Sequence, residues 1–220
     1  MSSYRIRLVE GMLVAIIVCI CGTAEARTII MDASACDRMA GIAAAAPRLS
    51  WALREGKPGH FATSTVWLRE DMSFLLRFPL ESLPPGQRIA YAELIVNVAA
   101  AHGTDPRFYV WRILSEWGPG VGYTYRQTVP DKAPWVKPGA RGLSSDRGTR
   151  PTDIMRVETI GEMSINVTED VDLWYSGTAE NHGWLLTVED PDVRVEFPSP
   201  LWLGVSDWKL KITYEPIPDP

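Results

Sequence analysis

Residues 164–188, SINVTEDVDLWYSGTAENHGWLLTV, decide how the rest of the chain is read. Ile165 and Val167 alternate with polar neighbours, as in a half-buried strand. Thr168 can then cap a helix whose first turn carries Glu169 and Asp170 against the positive end of the dipole, and Gly177 can close it with φ > 0. Val171, Trp174 and Tyr175 fall at i, i+3 and i+4 and make one apolar stripe. Asn181-His182-Gly183 offers turn chemistry, after which Trp184, Leu186 and Val188 resume a two-residue period. A helix of about two turns does not repay its own nucleation in water. The spacing therefore predicts strand, short helix, turn, strand, with the helix a lid on a larger β structure.

Outward from this stretch the same period recurs. Thr28–Met31 reads as a first strand, and Thr65–Leu68 and Phe74–Phe78 as two more, with Phe74, Leu76 and Phe78 on one face. Ala90, Ala92, Leu94, Val96 and Val98 alternate, and Phe108–Leu114 returns the chain after a turn at His102–Pro106. Val193, Val195 and Phe197, then Trp208, Leu210 and Ile212, alternate with polar residues. Leu83-Pro84-Pro85-Gly86 is a turn, and Pro58–Phe61 a loop. Between Ser34 and Ala46 local propensity favours a helix stopped by Pro47; tertiary context overrides such propensities, and irregular structure with one helical turn is expected there. Short strands, Pro/Gly turns and no β-α-β rhythm predict an all-β, two-sheet antiparallel β-sandwich with one short helix.

Arg5 and Arg7, the apolar run Gly11–Cys21 and Ala24-Glu25-Ala26 have the charge, length and small-x-small order of a secretory leader cut after Ala26. That run is shorter than the about 20 residues a membrane span needs. A secreted, periplasmic or cell-surface bacterial protein with no membrane span after cleavage is expected, with residues 27–214 as one domain and 215–220 as a proline-rich tail. The net charge is −5, and it stays so after cleavage because the leader carries two basic and two acidic residues. Cys36 is then the lone cysteine, so stability rests on the core, in which Cys36 itself serves as a small apolar residue.

The 164–188 stretch, with its Asn-Val-Thr, its Trp174 and its Asn-x-Gly-Trp-Leu-Leu, resembles the DNRLRE domain, a carbohydrate-binding-module-like jelly roll of secreted bacterial proteins. Further blocks agree in order: Phe74-Leu75-Leu76-Arg77-Phe78 with Leu83-Pro84-Pro85-Gly86, then IAYAELIVNV (89–98), then Val110-Trp111-Arg112 with Glu116-Trp117, then Thr124-Tyr125 with Pro134-Trp135-Val136-Lys137-Pro138-Gly139. Tyr125 stands where the family has Trp, and Phe197-Pro198-Ser199-Pro200 replaces its F-x-S-x-E. The resemblance covers about Val66–Tyr214 and implies a jelly roll that binds carbohydrate.

Charge is segregated along the chain. Arg126, Lys132, Lys137, Arg141, Arg147 and Arg150 stand against only Asp131 and Asp146 in the 126–150 segment, beside Tyr123, Tyr125 and Trp135. Aromatic rings pack on the C–H faces of pyranoses, and arginine pairs with carboxylate or sulfate in a bidentate fork. Tyr123, Tyr125, Arg126, Trp135, Lys137 and Arg141 are thus candidates for binding a polysaccharide, an acidic one above all. The plainer reading, a solvated loop with Trp135 as a plug, stays open. Of the remaining tryptophans, Trp67, Trp111, Trp117, Trp174, Trp184 and Trp208 fall in core patterns, and Trp51 and Trp202 do not.

An acidic chain without a recognition motif is a poor partner for nucleic acid. No nucleophile elbow, phosphate-cradling loop or H-E-x-x-H pair is present, and the histidines lack metal spacing, so neither enzyme nor cofactor is expected. Glu189-Asp190-Pro191-Asp192 could hold structural Ca²⁺ but lacks the spaced ligand motif. Glu169, Asp170 and Asp172 read as solubilising or dipole-matching groups; a glycosidase would need two carboxylates across one groove. The expectation is a non-catalytic carbohydrate-binding module, with a structural or adhesion module for a surface protein as its rival.

Overall fold

The structure, a computed structural model, describes residues 25–48, 50–55, 65–200 and 208–217. Most of the expected leader, the Pro58–Phe61 loop, Trp202 and the last residues of the tail lie outside them. In chain order the strands begin with β1 (Arg27–Asp32), β2 (Arg38–Ala43), β3 (Ser50–Glu55), β4 (Thr65–Leu68) and β5 (Met72–Arg77). Next come β6 (Gln87–Val98), β7 (Ala100–His102), β8 (Arg107–Arg112), β9 (Tyr125–Gln127), β10 (Ala133–Pro134), β11 (Asp153–Arg156) and β12 (Gly161–Asn166). The helix α1 (Thr168–Tyr175) precedes β13 (Trp184–Thr187), β14 (Arg194–Pro198) and β15 (Lys209–Pro216).

The strands form an all-β antiparallel sandwich. One sheet runs β1-β15-β6-β12, and β6 continues as β7 into pairing with β14 and, through it, β4. The second sheet runs β11-β8-β13-β5-β2-β3. The chain crosses between them repeatedly, from β5 to β6, from β7 to β8 and from β12 through α1 to β13, as in a jelly roll. The alternating residues read from the sequence meet in one core between the sheets: Phe74, Leu76, Leu94, Val96, Trp184, Leu186, Phe197, Trp208 and Ile212. Trp208 meets Phe74 and Phe197 edge to face, with centroids 5.2 and 5.3 Å apart. Cys36 packs in this core as expected.

Three local expectations need correcting. The 34–46 segment forms a single 3-10 turn, Ala33–Ala35, and then β2, which pairs with β3 on one side and β5 on the other, so tertiary pairing overrides the local helical preference. In β6 the alternation breaks: Ile89 is buried and Ala90 exposed, since Thr213 pairs with Tyr91 and Tyr214 with Ile89, leaving Ala90 as a bulge. The helix begins as placed, but Thr168 does not cap it. Asn166 Oδ1 accepts the Thr168 N–H at 3.0 Å, while the Thr168 hydroxyl meets the Ala92 N–H at 2.9 Å and ties α1 to β6. Gly177 closes the helix at φ 72°.

Gly183 explains the Asn-x-Gly turn. Its φ is +79°, and a Cβ there would collide with the Leu76 carbonyl across the β5–β13 pair. Asn181 supports the turn by accepting the Gly183 N–H and donating to the Phe78 carbonyl.

Candidate functional site

The central strands of the second sheet, β2, β5 and β13, are buried on both faces. Ala40, Ile42, Leu75, Trp111 and Leu185 point away from the main core into a second one, closed from outside by Ile113, Trp117, Val121, Trp135 and Ala140. The 113–150 segment is therefore a folded cap and not a solvated loop. Asp146, fully buried, organises it by accepting the N–H groups of Val136, Lys137 and Gly142, each at 2.9 Å. A carboxylate does this best, with two oxygens for three converging donors. Arg147 locks the cap to the sheet: its guanidinium lies 3.7 Å from the centroid of the Trp111 ring, and Nη1 reaches Glu189 at 2.9 Å. Glu189 also accepts from Thr187, whose hydroxyl accepts the Trp111 indole N–H at 3.0 Å.

This cap separates the six residues singled out from the sequence. Trp135 is 3% exposed, with its indole N–H donated to the Gly122 carbonyl at 2.9 Å. Arg141, its side chain 12% exposed, turns inward to pair with Glu189 at 3.3 Å and to donate to the Glu70 and Val188 carbonyls. Tyr123 is half-buried and packs against Gly139, where a Cβ would come within 2.8 Å of the ring. Tyr125 is half-buried with Lys132 Nζ 6.0 Å from its centroid, and Arg126 donates to the Glu116 carbonyl at 2.6 Å. Lys137 alone of the six is exposed. No single exposed face gathers these aromatics and cations. The assignment of tryptophans also changes: Trp135 joins a core, whereas Trp67, on β4, is 43% exposed under Arg194.

The concave site lies elsewhere, where the chain leaves the cap. Residues 148–153 and α1 flank a polar cleft of 840 Å³. Its floor is Arg112 of β8 paired with Asp170 of α1 at 3.3 Å. Asp170 is 4% exposed, and its Oδ2 accepts both the Thr152 hydroxyl at 2.6 Å and the Trp184 indole N–H at 2.8 Å. The rim carries Arg150 paired with Glu169 at 3.2 Å, and Asp153, Asn166 and Asp172. Asp153 is held in place by accepting the N–H groups of Ile154 and Asn166. Asp170, expected from the sequence as a solubilising or dipole-matching group, is instead buried. Its i, i+4 relation to Trp174 puts both on the buried side of the helix, and that spacing was the available signal.

Burial pushes the Asp170 carboxyl above the ordinary carboxylate range, against the pull of Thr152, Trp184 and Arg112. The folded state thus holds this proton more tightly than the unfolded chain does. Its stabilising effect is complete below the unfolded value and is lost as pH rises through the folded one. In urea unfolding the stability of the wild type relative to Asp170→Asn is expected to grow as pH falls from neutral into the acid range. A difference constant with pH would exclude this behaviour.

Among the described residues no three His, Cys, Asp or Glu side chains come together to hold a metal ion. In the 189–192 turn Glu189 is engaged by the arginines and Asp190 accepts the Asp192 N–H. Among the described residues, too, no helix is long and apolar enough to cross a membrane. The fold and cleft define the class, an all-β sandwich with a capped sheet and a polar trough beside helix α1. Compared with known proteins, the chain matches no family model, and a search of curated proteins finds no match.

Proposed function

We propose that the protein is an exported, single-domain, non-catalytic module that binds a polysaccharide in the cleft between residues 148–153 and α1. One observation carries this reading: charged and polar groups of both signs surround a hydrogen-bonded ionic floor, and few apolar groups line the walls. Hydroxyl-rich ligands are recognised by such mixed sets, because each hydroxyl both donates and accepts. The leader expected at 1–26 from the sequence and the resemblance to DNRLRE domains support the same reading. In the cleft four carboxylates face two arginines, and both arginines already have an acidic partner. That balance favours an uncharged polymer over an acidic one, which would turn instead to cap cations such as Arg126, Lys132 and Lys137.

Catalysis is not part of the reading, although several carboxylates share the groove. Burial raises the affinity of Asp170 for protons, yet its neighbours Trp184 and Arg112 only donate, which favours Asp170 as an acceptor.

Affinity gel electrophoresis against neutral and anionic polysaccharides tests the proposal. A neutral polymer is expected to retard the protein, and Arg150→Ala/Glu169→Ala is expected to weaken that retardation about tenfold, the effect of losing charge-assisted hydrogen bonds. Arg126→Ala/Lys137→Ala leaves it unchanged. Retardation by anionic polymers alone, abolished in the second variant, would move the site to the cap. No retardation at all favours a second reading, an adhesion module. Its supporting feature is a set of exposed aliphatic side chains, Leu114, Val136 (74% exposed) and Leu143, in segments that bond to Asp146 and Arg147.

A further inference from the structure

Next to the polar cleft lies a second depression, of 810 Å³, with different walls. The two share Asp172 of α1 and continue each other along β6, Ile89 belonging to the cleft and Gln87 to its neighbour. Helix α1 and the start of β6 are thus common to both. The second depression is lined mainly by apolar groups, Leu80, Pro85, Tyr175 and Ile217 among them. Tyr175 adds no free hydroxyl, since it donates to the Pro84 carbonyl and accepts the Gln87 N–H. Its ring is left as hydrocarbon surface.

We infer that the cleft and this depression form one trough for an amphiphilic glycan, a sugar carrying an alkyl or acyl chain. The inference rests on the sugar-binding reading above and extends it. Hydroxyls of the sugar occupy the polar end, and the hydrocarbon crosses the Asp172 boundary to lie on Leu80, Pro85, Tyr175 and Ile217. A plain sugar leaves the apolar end wet, and a plain hydrocarbon leaves the donors and acceptors of the cleft unused. An amphiphile joined at the right point satisfies both ends at once.

The test is calorimetric titration of the exported protein with glucose, galactose and maltose and with their octyl, decyl and dodecyl glycosides, all below micelle-forming concentrations. Ile217→Ser, at an exposed position, and Glu169→Ala are run in parallel. Affinity is expected to rise about two- to fourfold for each added methylene, the range set by partial burial of the chain. Ile217→Ser flattens that rise, and Glu169→Ala weakens every sugar-bearing probe. Binding of the free sugars with no dependence on chain length would overturn the amphiphile inference and leave the sugar reading standing. No binding by any sugar or glycoside would overturn the inference, and only the absence of retardation by every polysaccharide in the gel assay would overturn the sugar reading with it. Equal binding of a dodecyl amine oxide, which has no sugar, would overturn the inference by showing that the polar end contributes nothing.

Discussion

Replacing Trp135 by alanine is expected to cost about 3–5 kcal/mol, the penalty for emptying a buried aromatic site. The indole closes the second core over Trp111, Trp117 and Leu185 and satisfies the Gly122 carbonyl. The loss should fall mainly on the cap, because the main core between the sheets does not contain Trp135. Amide hydrogen exchange would therefore quicken through residues 113–147 well before the protection of β6, β13 and β15 changes, and urea unfolding would show the reduced stability. Unchanged exchange in the cap would mean that the indole is not its keystone. The same variant is a poor probe of ligand binding, since an affinity change would report a loosened cap and not a lost contact.

Asp170→Ala is expected to destabilise the protein by about 3 kcal/mol. It orphans the buried Trp184 indole N–H and the Thr152 hydroxyl, each costing roughly 1–3 kcal/mol if no water replaces the carboxylate, and it strips Arg112 of its counter-ion. Because Arg112 stays partly open to solvent through the cleft, its share is smaller than for a fully buried cation. Asp170→Asn keeps an acceptor for the indole and should cost less. Urea midpoints with an unchanged slope would measure both, and a loss below about 1 kcal/mol for the alanine variant would show that water substitutes freely for the carboxylate.

The two positions also mark the boundary between local and tertiary information in this chain. In 164–188 the period of apolar residues and Gly177 located the helix, and the alternation in β5, β13, β14 and β15 named the residues of the main core. These features are local: a side chain's face follows from its place in the period. Trp135 belongs to a segment with no period, so its burial depended on whether another surface lay beneath it. The surface was hinted at. Leu75 sits between Phe74 and Leu76, and Leu185 between Trp184 and Leu186, so neither face of β5 or β13 is polar, the pattern of strands covered on both sides. What covers the second face is not written in those strands.

The sequence by itself thus determined the strands with a clear two-residue period, the short helix, the antiparallel sandwich class and most of the core between the sheets, since propensity and period act over neighbouring residues; β2, β3, β9, β10 and β11 were not among them. Tertiary structure alone decided that the basic segment folds into a cap around Asp146, that Arg141 and Arg147 turn inward to Glu189, and that Arg112 and Asp170 meet as the floor of a cleft. The ion pairs among these join groups 42 to 58 residues apart, at positions 112, 141, 147, 170 and 189. A buried charge is tolerable only where a partner from elsewhere in the chain completes it, and that pairing exists only once the sheets have closed.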